Sequence, residues 1–451
     1  MFNVSSGLPS KFSVSSLIAD AGTAFITRVG AAGLSFVVQV LFARWAGPDH
    51  YGAYSYAMAW AALLSTFSGL GFPQAIVRYI PEYERSQKWK YLKGVIKRSE
   101  HFVLGASSIL ALLSSLLVIG LLTNPSDSLT RLPLLLGLAF TPVLTLLHLQ
   151  REMCVARGLV WTAYLPSRLL RPLSVIAGGA LLVLWFDKPL TGSVAVLLTT
   201  VPVVAIWLGQ RWAFQRSLPE ACKTVSSTYD SENWLRTAVP MLLITGFVLL
   251  IGKTDLIMIG IMTDVEQVGL YRVASKISTL VLFPMFAVNA IVAPRFAEQY
   301  AGTSEAPLQG LAATAGRWMF AGGLLLAIGI LITAPFLLGL FGPSFPKMQS
   351  VLALLIGGQI ANVGAGAVGP LLTMTGYQDQ TVKVYASCAL LNVVLNGVGI
   401  SFFGLHGAAI ATAISTVLWN VGLYRLAIRK LDVYPSVFDL LRSSEGTSSK
   451  P

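Results

Sequence analysis

Residues 51–83, YGAYSYAMAWAALLSTFSGLGFPQAIVRYIPEY, and residues 268–300, VGLYRVASKISTLVLFPMFAVNAIVAPRFAEQY, follow one spacing without a gap. A shift of 217 makes six positions identical: Gly52/Gly269, Tyr54/Tyr271, Ala57/Ala274, Leu63/Leu280, Arg78/Arg295 and Tyr83/Tyr300. Each stretch runs from the start of an apolar helix past its basic end. A repeat at that distance divides the 451-residue chain into two like halves.

The rest of the composition says where those helices sit. The chain is 55% hydrophobic and 12% charged, against about 25% charged in soluble domains. A spanning helix needs about 20 apolar residues. Twelve are expected, at 22–44, 51–75, 102–122, 132–150, 163–185, 190–210, 237–262, 269–293, 314–340, 349–374, 382–403 and 406–428. Their connections alternate in charge. Arg78 to Glu100 carries seven Lys/Arg, whereas GPDH, TNPSDSLT, FDKP, TDVEQ, GPSFPK and GLH carry almost none. By the positive-inside rule both termini are expected in the cytoplasm. The formal net charge of +12 is then loop bias rather than a nucleic-acid surface. The fold class expected is an all-α integral membrane protein of two six-helix lobes. Residues 1–215 form the first lobe, 216–236 a cytoplasmic linker, 237–430 the second lobe and 431–451 a cytoplasmic tail. An even number of helices per half makes the halves run the same way through the membrane, related by an axis along its normal. No non-cytoplasmic connection exceeds about ten residues, which argues against membrane polymerases and ligases of surface sugars.

Four charges interrupt the apolar pattern: Lys253, Asp255, Arg272 and Lys276. A charge at mid-bilayer costs roughly 2.5–3.5 kcal/mol, so it persists where it lines a polar cavity or finds a partner. Under the 217 shift these four fall on Phe36, Val38, Ser55 and Ala59, so the scaffold repeats and the charge does not. Arg272 and Lys276 share a helix face. Lys253 and Asp255, read on one continuous helix, point apart. Either Asp255 pairs with Lys276 or Arg272 across neighbouring helices, or the cations hold an anion and Asp255 exchanges a proton or sodium ion. Arg28, Arg168 and Arg171 either snorkel to headgroups or form a cationic entrance on the cytoplasmic side. Guanidinium groups grip phosphate bidentately and ammonium groups act as point charges, so a diphosphate would suit this series. Gln39, Asn289, Gln359, Asn362, Asn392 and Asn396 line a path or join helices by hydrogen bonds. Tyr54, Tyr56 and Trp60 are read as interface aromatics rather than sugar platforms. The three cysteines and four histidines are scattered, with no metal-binding, Walker or catalytic spacing. No enzyme activity, cofactor or nucleic-acid partner is expected.

The opening RVGAAGLSFVVQVLFARWAGPDHYGAYSYAMAWAALLSTFSGLGFPQAIVRYIPEY resembles the start of polysaccharide-biosynthesis membrane proteins of the Wzx (O-antigen) flippase type, relatives of the multidrug and toxin extrusion (MATE) transporters. The features that carry it are an R…G helix, a G-P-x-x-Y-G-x-Y turn, an A-I-V-R-Y end and a basic loop. The resemblance implies a V-shaped, alternating-access transporter in a bacterial inner membrane. It would carry undecaprenyl-diphosphate-linked oligosaccharide from the cytoplasmic to the periplasmic leaflet, for O-antigen, capsule or exopolysaccharide. Membrane lipids, a polysaccharide polymerase and a chain-length regulator would be its partners. The positions that fit the family's cationic lumen are Arg28, Lys253, Arg272 and Lys276. The alternative is an ion-coupled antiporter of drugs or other small molecules, of the MATE type.

Overall fold

The computed structural model describes residues 14–123, 128–300, 302 and 308–436, with side chains from residue 33 onward. No strand occurs among the described residues. Seven helices are long and apolar enough to cross a membrane, or up to ten when each bent pair is one span. The first half comprises α1 (Val14–Ser68), α2 (Phe72–Arg85), α3 (Trp89–Leu121), α4 (Ser128–Ala139), α5 (Thr141–Ala156), α6 (Val160–Ala180) and α7 (Gly192–Ser217). A short α8 (Glu220–Thr224) lies in the connection. Then follow α9 (Ser231–Ile251), α10 (Thr254–Met262), α11 (Val265–Ser278), α12 (Phe283–Tyr300), α13 (Leu308–Ile332), α14 (Ala334–Gly339), α15 (Gln349–Gly364), α16 (Val368–Met374) and α17 (Gln378–Leu431).

Two expected turns are tighter than loops. Helix α1 continues through GPDH and α17 through GLH, each broken at a single glycine: Gly47 at φ 72° and Gly404 at φ 53°. Only glycine takes such angles at no steric cost. Prolines mark other breaks, because the ring suits a helix start and not its interior. Pro142 opens α5 after a 41° bend from α4, and Pro335 opens α14. Several helices begin well outside the apolar spans: α3 starts at Trp89 rather than near 102, and α9 at Ser231, inside the stretch expected to be linker.

The two repeated stretches meet. A Cβ placed on Gly52 of α1 would lie 1.6 Å from the Val265 carbonyl oxygen, and one on Gly269 of α11 would lie 2.3 Å from that of Pro48. Val265 is Pro48 shifted by 217, as Gly269 is Gly52. The contact is therefore reciprocal, the signature of a two-fold axis. Around this seam the main apolar core draws on both halves, with Tyr51, Tyr54, Ala57, Tyr271, Ala274 and Ile277 all buried. Arg44 donates to the Leu340 carbonyl at 2.6 Å, and Phe36 packs edge-on to Phe341 at 5.4 Å. These contacts tie α1 to α14 beside the same seam.

The connection between the halves is stitched to the first. Lys93 Nζ donates to the carbonyls of Lys223 at 2.5 Å and Val225 at 2.8 Å, and the Thr228 N–H to the Lys90 carbonyl at 3.0 Å. Trp234 Nε1 donates to the Tyr83 hydroxyl at 2.9 Å, fixing the start of α9 against α2. At the other end, Tyr434 and Gln309 exchange hydrogen bonds at 2.7 and 3.0 Å, and Ser436 donates to the Gly364 carbonyl at 3.1 Å. Residues 432–436 thus lie in the notch where α15 breaks before α16. The tail expected at 431–451 is described only as far as Ser436.

Candidate functional site

The stretch read as one helix through Lys253 and Asp255 is two. Helix α9 ends at Ile251, Lys253 has non-helical angles (φ −129°, ψ −16°), and α10 starts at Thr254. The half-turn argument that sent the two side chains to opposite faces therefore does not hold. The break also bears on how the two charges are tolerated. A helix carries about half a positive charge at its N-terminus and half a negative one at its C-terminus. Lys253 sits just past the C-terminus of α9, and Asp255 lies in the first turn of α10. Asp255 therefore meets the favourable end of the α10 dipole, whereas Lys253, which caps α10, stands between the favourable end of α9 and the unfavourable end of α10.

Asp255 is 5% exposed, and its Oδ1 accepts the Leu256 N–H at 3.0 Å. No ion pair within 4 Å reaches it, nor Lys253, Arg272 or Lys276, among the described residues. Of the two readings of Asp255, the bridge to Arg272 or Lys276 is therefore not formed among the described residues. The four charges nevertheless form one electrostatic group: Lys253 interacts with Arg272, Asp255 and Lys276, and Asp255 with Arg272. Three cations against one carboxylate leave the group net positive. Lys253, Arg272 and Lys276 are half-buried.

Other elements complete the surroundings. Tyr271, next to Arg272, is buried beside Asp255 and Thr412 of α17, and neither the Tyr271 nor the Thr412 hydroxyl makes a well-formed hydrogen bond. From α1, Tyr51 is 1% exposed, donates to Gln39 Oε1 at 2.5 Å, and faces both Ser55 and Arg272. Sequence reasoning missed Tyr51, Tyr271 and Thr412. The Tyr54/Tyr271 identity was a weak signal for Tyr271 and the G-P-x-x-Y-G-x-Y turn for Tyr51; nothing marked Thr412.

The remaining expectations divide. The side chain of Arg28 lies outside the described residues. Arg168 and Arg171 are apart from the group: Arg168 stacks over the Tyr164 ring at 4.8 Å, and Arg171 donates to the Thr199 carbonyl at 3.0 Å. Two of the polar contacts join separate segments: Asn392 donates to Ser415 across the Gly404 break in α17, and Asn420 of α17 to Asn362 of α15, each at 3.0 Å. Tyr54 and Tyr56 are not interface aromatics but buried core, with Tyr56 packed on Gly260 of α10. An apolar groove of about 720 Å³ between α15 and α17, lined by Leu354, Gly358, Ala413 and Val417, does not include the charged group.

Comparison with known proteins agrees with this architecture. The model of the polysaccharide biosynthesis protein family matches residues 17–299. The "Probable low-salt glycan biosynthesis flippase Agl15" of Haloferax volcanii is 24% identical over 401 residues, covering 87% of this chain and 79% of the relative. Among solved structures, the lipid II flippase MurJ in an inward closed conformation superposes with a TM-score of 0.71 at 14% identity, covering 93% of this chain and 89% of MurJ. An inward-facing multidrug resistance MATE transporter of the MOP superfamily superposes with a TM-score of 0.70 at 13% identity, covering 94% of this chain and all of that one. At such identities the superpositions establish the fold: a multi-pass, all-α transporter architecture. With more than half its length matched by the family model, the chain belongs to the polysaccharide biosynthesis protein family of membrane proteins.

Proposed function

We propose that this protein is a flippase for a lipid-linked oligosaccharide with a diphosphate headgroup, working by alternating access between its two six-helix lobes. The observation that carries the reading is the group formed by Lys253, Arg272 and Lys276 around one carboxylate, with no ion pair joining any of them. Arg272 presents a fork to two phosphate oxygens, and the lysines add point charges. At 4 Å and an effective dielectric of about 20, one cation–phosphate contact is worth about 4 kcal/mol before desolvation. Arg28, Arg168 and Arg171 serve this reading as the approach from the cytoplasmic side. Asp255 is the only fully buried carboxylate among the described residues; with the Tyr271 and Thr412 hydroxyls beside it, it exchanges a proton or sodium ion to reset the cycle.

The finer form of the proposal is an undecaprenyl carrier moved to the periplasmic leaflet of a bacterial inner membrane, feeding a polymerase and a chain-length regulator. The name of the archaeal relative, a glycan biosynthesis flippase, supports the transport of a lipid-linked glycan. A drug antiporter of the MATE type relies on carboxylates to bind cations, and here cations outnumber the carboxylate. The experiment is replacement of Arg272 and Lys276 by alanine in the native host. Surface glycan is lost in both at unchanged protein level. Normal glycan in both variants overturns the site.

A further inference from the structure

Cations are sparse in the connections expected on the non-cytoplasmic side, and Arg44, at that end of the span expected at 22–44, goes against the bias. No ion pair reaches it among the described residues. Its partner is a backbone group of the other half. Helix α14 ends at Gly339, and the last carbonyls of a helix have no partner within it. The turn that follows takes two of them: the Phe341 N–H donates to the Leu338 carbonyl at 3.0 Å and the Gly342 N–H to that of Gly339 at 3.2 Å. The next carbonyl, that of Leu340, is taken by Arg44 Nε at 2.6 Å. Both ends of this bond are firmly mounted. Trp45, beside Arg44, lies against Gly179 of α6, where a Cβ would be 2.6 Å from the indole ring. Phe341, beside Leu340, is fully buried and packs on Phe36 and Phe345. The bond joins a fixed point of the first half to a fixed point of the second. Under the 217 shift Arg44 falls on Ile261, which offers no side-chain donor, so the bond has no second copy.

We propose that Arg44 is a positioning residue that latches the two halves together on the non-cytoplasmic side, its guanidinium capping the Leu340 carbonyl while the α1–α11 seam is closed. The proposal rests on the alternating-access reading above and not on the identity of the cargo. Parting the halves draws Arg44 away from Leu340. The guanidinium is exposed, so water replaces the carbonyl as soon as the bond breaks. Opening therefore costs the net worth of one charged hydrogen bond, roughly ten- to a hundredfold in an equilibrium, and exposure sets it at the lower end of that range. A bias of this size favours the closed seam and leaves the open one within reach of a ligand that prefers it.

The test uses full-length protein in nanodiscs, with spin labels on Asp49→Cys and Gln267→Cys flanking the seam. The three native cysteines are replaced by alanine. Arg44→Met keeps an apolar stem and removes the donor, and is expected to raise the population at the longer, open distance about tenfold. Arg44→Lys keeps a charged donor and is expected to restore most of the closed population. A side chain that merely packs would be replaced as well by methionine as by lysine. Populations in Arg44→Met equal to those of wild type overturn the latch, and so does an Arg44→Lys seam as open as that of Arg44→Met. Gly52→Ala wedges the same seam by another route, through the Val265 carbonyl. A longer distance in Gly52→Ala and not in Arg44→Met overturns the latch alone. A longer distance in neither overturns alternating access at this seam, and the latch with it.

Discussion

Replacing Gly52 by alanine sets two effects of opposite sign against each other. Gly52 lies in α1 at ordinary helical angles, where alanine is the better helix former by about 1 kcal/mol. With room for a methyl group, Gly52→Ala would stabilise. The structure shows no room: the new Cβ would sit 1.6 Å from the Val265 carbonyl oxygen and 2.9 Å from the Gly269 nitrogen, both backbone atoms that cannot turn aside. Reaching ordinary contact at 3.4 Å requires the helices to part by about 1.8 Å at the crossing. Overpacking of that kind costs typically 1–3 kcal/mol. The net expectation is loss of stability in Gly52→Ala and a shift of the seam toward open. Gly269→Ala meets its nearest atom at 2.3 Å and is expected to be milder. The double variant should cost less than the sum, because one separation relieves both clashes. Gly105 in α3 has nothing within 4 Å of a built Cβ and is the control, where alanine should raise stability. Thermal unfolding of purified protein and the Asp49–Gln267 spin-label distance read these out. Stabilisation by Gly52→Ala comparable to that by Gly105→Ala, or strict additivity with Gly269→Ala, refutes the tight reciprocal seam.

Burial lifts the Cys222 thiol above its ordinary value, with the Lys93 charge opposing. Maleimide labelling of Cys222 in the native protein should therefore be slow near neutrality and rise with pH, as the thiolate forms. Lys93→Met cuts the stitches to Lys223 and Val225 and should speed proteolysis between 218 and 230; an unchanged rate would show that the connection is held elsewhere. Gly366 has φ +73°, and a Cβ there would lie 2.5 Å from the Pro435 carbonyl oxygen. Gly366→Ala should lower the thermal midpoint and expose residues 432–436 to an endoprotease, and unchanged protection of that segment in this variant would argue against its docking.

The sequence made the repeat, the helices and the four charges visible because each is a local pattern: identity at a fixed shift, runs of apolar residues, and charges that break those runs. The break at Gly252 was not visible. Glycine occurs in many of these helices, and here no proline marks the stop. Thr412 escaped for a different reason: it lies on another element, and a hydroxyl in an apolar run reads as ordinary helix content until its neighbours are known. Tyr51 stood in the quoted G-P-x-x-Y-G-x-Y turn, but its place beside the charges needed the fold. Arg168 and Arg171 were legible as a pair on one helix face, and only the fold shows what each touches there, the Tyr164 ring and the Thr199 carbonyl. Gly52 and Gly269 were legible as identical residues, and only the fold makes them a contact.

That contact bears on why the charges belong to one half. On a two-fold axis a residue meets its own counterpart, and Arg272 and Ser55 flank the same phenol. A faithful second copy would set two guanidiniums around one tyrosine, repelling each other by about 4 kcal/mol at 4 Å and an effective dielectric of 20. Near the axis, then, a cation can be held singly but not in duplicate. Charge asymmetry at this seam is a condition of folding as well as a mark of use. A protein made of two like halves can place a cationic site on its axis only after the halves have ceased to be identical there.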